Sequence, residues 1–456
     1  MIDNDLLKKI NSQNAAEIFS RLYGESEVNA ARQRYTALIT EILKDDFPET
    51  ESGVKKGNLR LFSAPGRTEL AGNHTDHNCG KVLAASIQLD SIAIVQERND
   101  NTVFFRSAGF PDVKINLTNS NGDPDLQPKA EEKEKTAALI RGIAAEFHKR
   151  GCAVKGFSAN VKSDVLAGSG LSSSASIEVL IGCIFNSLFN KGKFTALEIA
   201  QIGQIAENVY FGKPCGLMDQ TACAAGGAVA IDFKSVTHPV VKQINFDLTS
   251  AGYTLCIVNT GGDHADLTSD YASIPAEMKA AAAFFGKTLL RELTKETVLN
   301  RAAEVRKTLG DRALLRSIHF FDDNERVDVM ADALIKMADA PSSAVKQNVL
   351  NQYLDLVNES GDSSWKILQN VYSPNNPASQ GISVALALTK DFFRRQKPGG
   401  SKAACRVHGG GFAGTIQTYI PIDLMETYFS CIEAVFGKGS ITPLMIRQKG
   451  ALELVF

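Results

Sequence analysis

Val165 to Val179 read VLAGSGLSSSASIEV, a glycine- and serine-rich run between a short apolar segment and a strongly periodic one. Downstream, Ile177, Leu180, Ile181, Ile184, Phe185 and Leu188 recur at the i, i+3, i+4, i+7 spacing of one buried helix face. Gly156 to Val165 reads as a strand, so the run joins a strand to a helix. Gly168 and Gly170 let the backbone bend close to a bulky group, and Ser172, Ser173 and Ser174 place hydroxyls where the helix begins. A helix start offers unpaired N–H groups and a partial positive charge, which suits a phosphate. The expectation is a loop that holds the phosphates of a nucleotide. No G-x-x-x-x-G-K-[ST] occurs, which disfavours a Walker-type NTPase, and there is no H-R-D and D-F-G set in protein-kinase order.

Upstream, Leu59 to Ala64 predicts a strand that Pro65-Gly66 ends, followed by the polar stretch Gly66 to Gly80, GRTELAGNHTDHNCG. Val82 to Val95 predicts another strand, with Val103 to Phe105 pairing to it. A loop rich in Asn, His and Asp on such a scaffold is where binding groups gather. Thr118 to Glu134 reads as a charged surface excursion and Thr136 to Lys149 as a helix. Thr195 is placed to cap a helix running to Tyr210, before FGKPCGLMDQ, Phe211 to Gln220, breaks the periodicity. Tyr253 to Val258 reads as a strand, Ala276 to Val357 as mainly helical, and Gln380 to Phe393 as a helix before the break at Pro398-Gly399-Gly400. Ala403 to Val407 and Thr415 to Ile420 read as strands around HGGGFAGT. Asn4 to Phe47 reads as polar helices with an apolar stripe at Leu38, Ile39, Ile42 and Leu43, a packing extension joined by a connector at Thr50 to Asn58. Strands and helices alternate without regular β-α units, which predicts an α+β protein and not a Rossmann sheet.

Composition excludes several classes. The 456 residues are 44% apolar and 22% charged with a formal net charge of −2, so neither nucleic acid nor an anionic membrane is expected as the main partner. The eight cysteines form no C-x-x-C pair, no apolar run of signal-peptide length opens the sequence, and no stretch reaches the ~18 apolar residues of a membrane span. A cytosolic protein with reduced thiols is expected.

Four motifs carry a family resemblance. The glycine–serine run resembles the phosphate loop of the GHMP kinases. Ala64 to Asn78, APGRTELAGNHTDHN, resembles the galactokinase signature G-R-x-N-x-x-G-E-H-T-D, matching at Gly66, Arg67, Gly72, His74, Thr75 and Asp76. Cys215 to Gln220, CGLMDQ, with Glu207 twelve residues before Asp219, resembles the segment that carries the galactokinase catalytic aspartate. Arg406 to Thr415, RVHGGGFAGT, satisfies G-x-G-x-x-G by count, but a strand-like TIQTYI follows where a dinucleotide fingerprint needs a helix. It resembles the third GHMP motif, with Ala413 in place of one family glycine. Tyr271, twelve residues after Asn259, has the spacing of the family's sugar-contacting tyrosine, or is an ordinary amphipathic tyrosine.

The resemblance implies a GHMP kinase fold: two α+β domains, 59–245 and 246–456, with the active site between them, after a helical extension over 1–58. It implies an ATP-dependent kinase that phosphorylates the anomeric hydroxyl of an aldose, with galactose the first candidate. In that reading Asp219 orients or deprotonates the hydroxyl and Arg67 stabilises the transferring phosphoryl group. Asn73, His74, Asp76 and Tyr271 hold the sugar. Gly168, Ser169, Gly170, Leu171, Ser172, Ser173, Ser174, Gly410 and Gly411 bind ATP. Ser174, or Ser173, and Glu207 reach Mg²⁺, whose preference is for such oxygen donors; in isolation Glu207 reads as an exposed helix carboxylate. His408 either touches phosphate or packs in its loop. A monomer or small homo-oligomer is expected.

Three departures from the family pattern set alternatives. Glu69 stands where galactokinases carry Asn, Asn73 where they carry the Glu that holds the sugar 6-hydroxyl, and Asp263 where they carry Arg. A neutral amide at Asn73 tolerates a 6-carboxylate better than a carboxylate does, which brings in galacturonate or another sugar as substrate. A sugar- and ATP-sensing protein without turnover is the alternative of another class.

Overall fold

A computed structural model describes residues 4–45, 59–166, 169–235, 237–262, 267–396 and 402–456. The connector at Thr50 to Asn58, Gly168, Asp263 and the break at Pro398 to Gly400 lie outside the described residues. The strands are β1 Arg60–Ala71, β2 Lys81–Glu97, β3 Thr102–Ser107, β4 Val113–Asn116, β5 Phe157–Ser163, β6 Ala228–Asp232, β7 Val240–Ile244, β8 Tyr253–Asn259, β9 Ala404–His408, β10 Thr415–Pro421, β11 Ile441–Leu444 and β12 Leu452–Leu454. The helices are α1 Asn4–Ile10, α2 Gln13–Tyr23, α3 Val28–Asp45, α4 Thr136–Lys149, α5 Ser173–Asn190, α6 Ala196–Ile205, α7 Met218–Ala225, α8 Thr268–Phe284, α9 Lys295–Asn300, α10 Ala302–Leu309, α11 Asp311–Ala338, α12 Ser343–Ser363, α13 Gly381–Arg394 and α14 Met425–Phe436. Among the described residues the strands form two sheets.

Period-two alternation builds both sheets as middle layers. In the first, ordered β12-β1-β2-β5-β3-β4, Phe62, Ala93 and Val95 face α4 and α5, while Leu61, Ile92 and Ile94 face α2 and α3. Strand β2 forks: Lys81–Ala85 pair with β6 and Ser91–Glu97 with β5. The second sheet is the antiparallel β11-β8-β10-β9. There Leu255 and Ile257 pack toward α11 and α12, and Cys256 and Val258 toward α13 and α14. Helix α11 joins the sheets, because Val327, Met330 and Leu334 share one core with Leu70 and Leu83 of the first sheet and Leu255 of the second. The α+β reading holds.

Three local readings need correction, and a fourth, the helix from Thr195 to Tyr210, holds with one refinement. Pro65-Gly66 does not end the strand; β1 runs on to Ala71, absorbing the pair in a register shift between Pro65 and Arg67. Strand β3 pairs with β4 and, in parallel, with β5, and not with β2. Helix α6, capped by Thr195 with Glu198 completing a capping box, continues through a π-helical turn, Ala206–Phe211. Strand β12 belongs to the first sheet although it falls within 246–456: Leu61, Phe62 and Ser63 pair with Leu454, Glu453 and Leu452. Arg60 Nε donates to Glu453 Oε1 at 2.5 Å there, which fixes the register.

The extension α1–α3 packs on the first sheet through Phe19, Tyr35, Leu38 and Ile39. Its polar anchor is Asp90 on β2, fully buried. Asp90 takes hydrogen bonds from Tyr23 at 2.7 Å, Arg34 at 2.5 Å, Arg447 at 2.9 Å, and Ser63. Burial would raise its carboxyl, but Arg34 and Arg447 outweigh that and hold it below the usual carboxylate range. The stability this contributes is fully present above the unfolded value near 3.9 and is lost as pH falls through the lower folded value. Asp90→Asn takes the carboxylate from buried Arg447 and leaves Arg34 only Asp164, 2.8 Å from its Nε, an expected cost of about 3–5 kcal/mol. A lowered urea midpoint, with hydrogen exchange rising first across α1–α3, checks it.

Candidate active site

The structure gathers four loops where the two sheets meet. Arg67, on β1 just past the register shift, is 7% exposed. Its Nε donates to Asp219 Oδ1 at 2.8 Å and its Nη2 to Asp219 Oδ2 at 2.7 Å, a two-point pair. Nη1 donates to the Gly170 carbonyl, and the Arg67 N–H to the Leu171 carbonyl at 3.0 Å. Gly66 explains how the strand comes so close: a Cβ there would lie 2.8 Å from Leu171 O. Asp219 sits in the first turn of α7 and also accepts from the Ser172 hydroxyl. Burial would raise its carboxyl, but Arg67 and then Ser172 hold it below the usual range.

The phosphate loop runs into α5 through two left-handed residues, Gly170 at φ +73° and Ser172 at φ +60°. Because the Ser172 hydroxyl is turned to Asp219, it does not cap α5, and no side chain does. The amide groups of the first turn therefore stay available to an anion. Ser169 is buried, its hydroxyl on the Leu166 carbonyl at 2.7 Å. Ser173 is half-buried and Ser174 exposed. The run's last serine, Ser176, is structural: it donates to the Ala64 carbonyl at 2.8 Å.

Glu207 lies in the π-helical turn and is 3% exposed, so it is not a surface carboxylate. Among the described residues no hydrogen bond joins it to Ser174. The Gln220 amide ties it instead to Glu178, one turn beyond Ser174 on α5, donating to Glu178 Oε2 at 2.9 Å and Glu207 Oε2 at 3.0 Å. Lys213 Nζ stands 3.7 Å from Glu207 Oε1.

In the sugar loop, Gly72 and His74 take left-handed turns at φ +89° and +60°. His74 Nε2 lies 2.8 Å from the Gly410 carbonyl, to which it donates. Burial, with His77 beside it, lowers His74 to about 4, so it is neutral at pH 7. Asp76 accepts the His77 N–H at 3.0 Å and meets Gly216 of the CGLMDQ segment so closely that a Cβ there would be 2.6 Å from its Oδ2. The two border a cavity of about 250 Å³.

Asn73 is not placed as expected. It is fully buried, and its side chain is committed inside the protein. Its amide donates to Glu69 Oε1 at 3.0 Å and the Gly409 carbonyl at 2.6 Å, and its oxygen accepts from Asn370 at 2.7 Å. A carboxylate and an amide therefore still face each other at positions 69 and 73, in exchanged order. The glycine turn also differs from expectation. The Gly410 carbonyl takes His74 and Asn370, and the Gly411 carbonyl takes the Tyr271 hydroxyl at 2.9 Å. Both residues thus serve the sugar loop and Tyr271, and it is Gly409 that nears the phosphate loop at Gly170. Tyr271 packs edge-on to Phe412. His408 is a packed histidine: 2% exposed, with Thr68 Oγ1 3.0 Å from Nε2 and Thr415 Oγ1 3.1 Å from Nδ1.

Sequence reading missed Arg406, Asn370, His319 and Asp323. Arg406 is fully buried and pairs with Glu69 at 2.7 Å across the two sheets. His319 and Asp323 lie one turn apart on α11, both fully buried. The available signal was two polar residues at i, i+4 on the helix face that also carries Phe320, Val327 and Met330.

Two family models match the chain: "GHMP kinases N terminal domain" over residues 138–227 and "Galactokinase galactose-binding signature" over residues 49–97. The galactokinase of Glaesserella parasuis is 31% identical over 379 residues, covering 82% of this chain and 88% of that protein. The galactokinase of Clostridium tetani is 32% identical over 277 residues, covering 60% and 67%. Among solved structures, Lactococcus lactis galactokinase complexed with galactose superposes at a TM-score of 0.71 and 24% identity, covering 92% of this chain and 100% of that one. The Methanococcus jannaschii mevalonate kinase does so at 0.52 and 13%, covering 86% and 99%. Both structural likenesses speak for the fold.

Proposed function

We infer the reaction from one premise: the chain belongs to the galactokinase family of the GHMP kinases. The activity is phosphoryl transfer from ATP to the anomeric hydroxyl of galactose. One observation carries the residue assignment, the Arg67–Asp219–Ser172 constellation where the sugar strand meets the phosphate loop.

Asp219 receives the anomeric hydroxyl and orients it. Its carboxylate, kept ionised by Arg67, is a weak base, and a loose phosphoryl-transfer transition state asks little of a base early on. Arg67 is fixed at three donor atoms and so meets the charge that spreads over the phosphoryl oxygens without reorganising. The open first turn of α5 and Gly170 hold the phosphates. His74, Asp76 and Tyr271 bound the sugar site, with Asn73 supporting it from behind.

Glu207 with Ser174 or Ser173 gives the hard oxygen donors that Mg²⁺ prefers. Among the described residues no three His, Cys, Asp or Glu side chains form a metal cage of their own. That donor set fits an ion that completes its shell with phosphate oxygens and water. When bound, Mg²⁺ neutralises phosphate charge. Glu207 and the serine hydroxyl would hold it, and Gln220 fixes the Glu207 carboxylate.

A division into domains at 59–245 and 246–456 is the proposed organisation, supported by the two sheets once β12 is counted with the first. A net charge of −2 supports small-molecule partners over nucleic acid. No helix among the described residues is long and apolar enough to cross a membrane. A cytosolic monomer or small homo-oligomer is the proposed working form.

The test is ADP release with ATP and Mg²⁺ on galactose, galacturonic acid, glucose, glucuronic acid and N-acetylgalactosamine, with the product located by NMR. Galactose phosphorylated at its anomeric oxygen is expected. Galacturonate is not expected to compete, since the Asn73 amide is already occupied and Glu69 stands 3.0 Å from it. Faster turnover of a uronic acid overturns the substrate assignment.

A further inference from the structure

The bend of the sugar loop at Gly72 buries main-chain groups that no strand or helix pairs. A Cβ at Gly72 would lie 2.4 Å from the Lys81 carbonyl, so the turn is closed on that side. Buried N–H and C=O groups need partners, and here these come from side chains of α11. Asp323 Oδ2 accepts the Gly72 N–H at 3.1 Å and the Asn73 N–H at 2.9 Å. His319 Nε2 lies 2.9 Å from the Asn73 carbonyl and donates to it, so Nδ1 accepts from the Ser363 hydroxyl at 2.8 Å. Asp323 is itself held by Arg326 and by Ser360 at 3.3 Å. One residue on, His74 points its ring at Gly410.

We propose that His319 and Asp323 are positioning residues of the sugar site: they grip the Gly72–Asn73 peptide planes and thereby set where His74 and Asp76 stand. The proposal rests on the reading that residues 72–76 hold the sugar. Both α11 side chains act on the main chain of the sugar loop. Together they make three main-chain hydrogen bonds, two from Asp323 and one from His319, and none of these reaches the phosphate loop. The grip therefore tunes sugar binding separately from ATP binding. Ser363 enters the same device, because its hydroxyl keeps the imidazole in the tautomer that donates from Nε2.

His319→Leu, His319→Gln and Ser363→Ala, compared with the unaltered chain, test this through steady-state constants for both substrates, galactose binding by calorimetry and the thermal midpoint. His319→Leu leaves the Asn73 carbonyl unpaired, and KM and Kd for galactose are expected to rise about tenfold while KM for ATP moves less than about twofold. His319→Gln, which keeps a donor, recovers most of the loss. Ser363→Ala, which retains the ring, raises KM for galactose about threefold in the same direction, and decides the matter if His319→Leu does not fold. A fall in the thermal midpoint with both KM values unchanged or moved together, or no rescue by Gln, overturns the proposal. If the unaltered chain neither binds nor phosphorylates galactose, it is the substrate assignment that fails.

Discussion

Asp219→Asn lowers kcat by about 10³- to 10⁴-fold, the scale of losing a group that handles the reacting proton and its orientation. At the lower figure this is about 4 kcal/mol of barrier. The amide keeps the volume but accepts at one atom only, so the two-point pair with Arg67 at 2.7 and 2.8 Å is halved. The Ser172 hydroxyl loses its charged acceptor as well. ATP affinity stays within about threefold, because the first turn of α5 does not depend on Asp219. Calorimetry with a non-hydrolysable ATP analogue, beside single-turnover kinetics, separates the two. The pH dependence follows the same geometry. The Asp219 carboxyl lies below the usual range, so activity persists as pH falls through about 4 and is lost only at the lower folded value. Near-normal turnover in Asp219→Asn would remove it from the reaction.

Arg406→Met is expected to cost as much stability as Asp90→Asn. Arg406 and Glu69 are 0% and 4% exposed and bridge the two sheets, with Nε and Nη1 of the arginine lacking a hydrogen-bond partner among the described residues. Removing the cation leaves a buried carboxylate without its charge partner, at about 3–5 kcal/mol. Burial raises the Glu69 carboxyl above its ordinary value even with Arg406 beside it, so the pair does not fully repay its desolvation. Two outcomes follow. Arg406→Met with Glu69→Gln regains most of the loss, since Gln still accepts from Asn73. The single variant also recovers partly in mild acid: a raised folded pKa means that the folded state takes up the proton, so stability returns as pH falls through it. Denaturant midpoints of the unaltered chain, the single variant and the double variant across pH measure both.

The periodic segments were legible because they bury one face. Thr136–Lys149 as a helix matches the observed bounds, and β8 and β10 fall within a residue of their apolar runs. The strands that went unread are short. Strand β12 has three residues, β4 and β11 have four each, and β6 and β7 have five each, too few for a period to declare itself. Pro65-Gly66 misled for another reason. The dipeptide has the composition of a turn, but Gly66 is there to let β1 press against the phosphate loop, and that need arises only across the fold.

The meeting of Arg67, Asp219 and Ser172 was legible, since motif order and spacing name all three. The site was not legible where direction decides. A sequence places Asn73 in the sugar loop, but not with its amide turned inward onto Glu69 and Asn370. It places His408 beside glycines, but not with both ring nitrogens occupied by Thr68 and Thr415. His319 and Asp323 escaped because their partners are main-chain atoms some 250 positions away, 246 for the Asn73 carbonyl and 250 for its N–H.

Strand β12 bears on how the chain is made. Arg60 and its partner Glu453 are 393 residues apart, and Arg447, which helps neutralise Asp90, arrives almost as late. A ribosome adding about 5–20 residues per second would finish the second sheet before the first had its outer strand. The first sheet thus waits on the emerging chain with β1 as an open edge, a state in which strands pair wrongly with other chains. The nascent protein stays exposed to misassembly until residues 447–454 have emerged, and the first sheet closes when they dock.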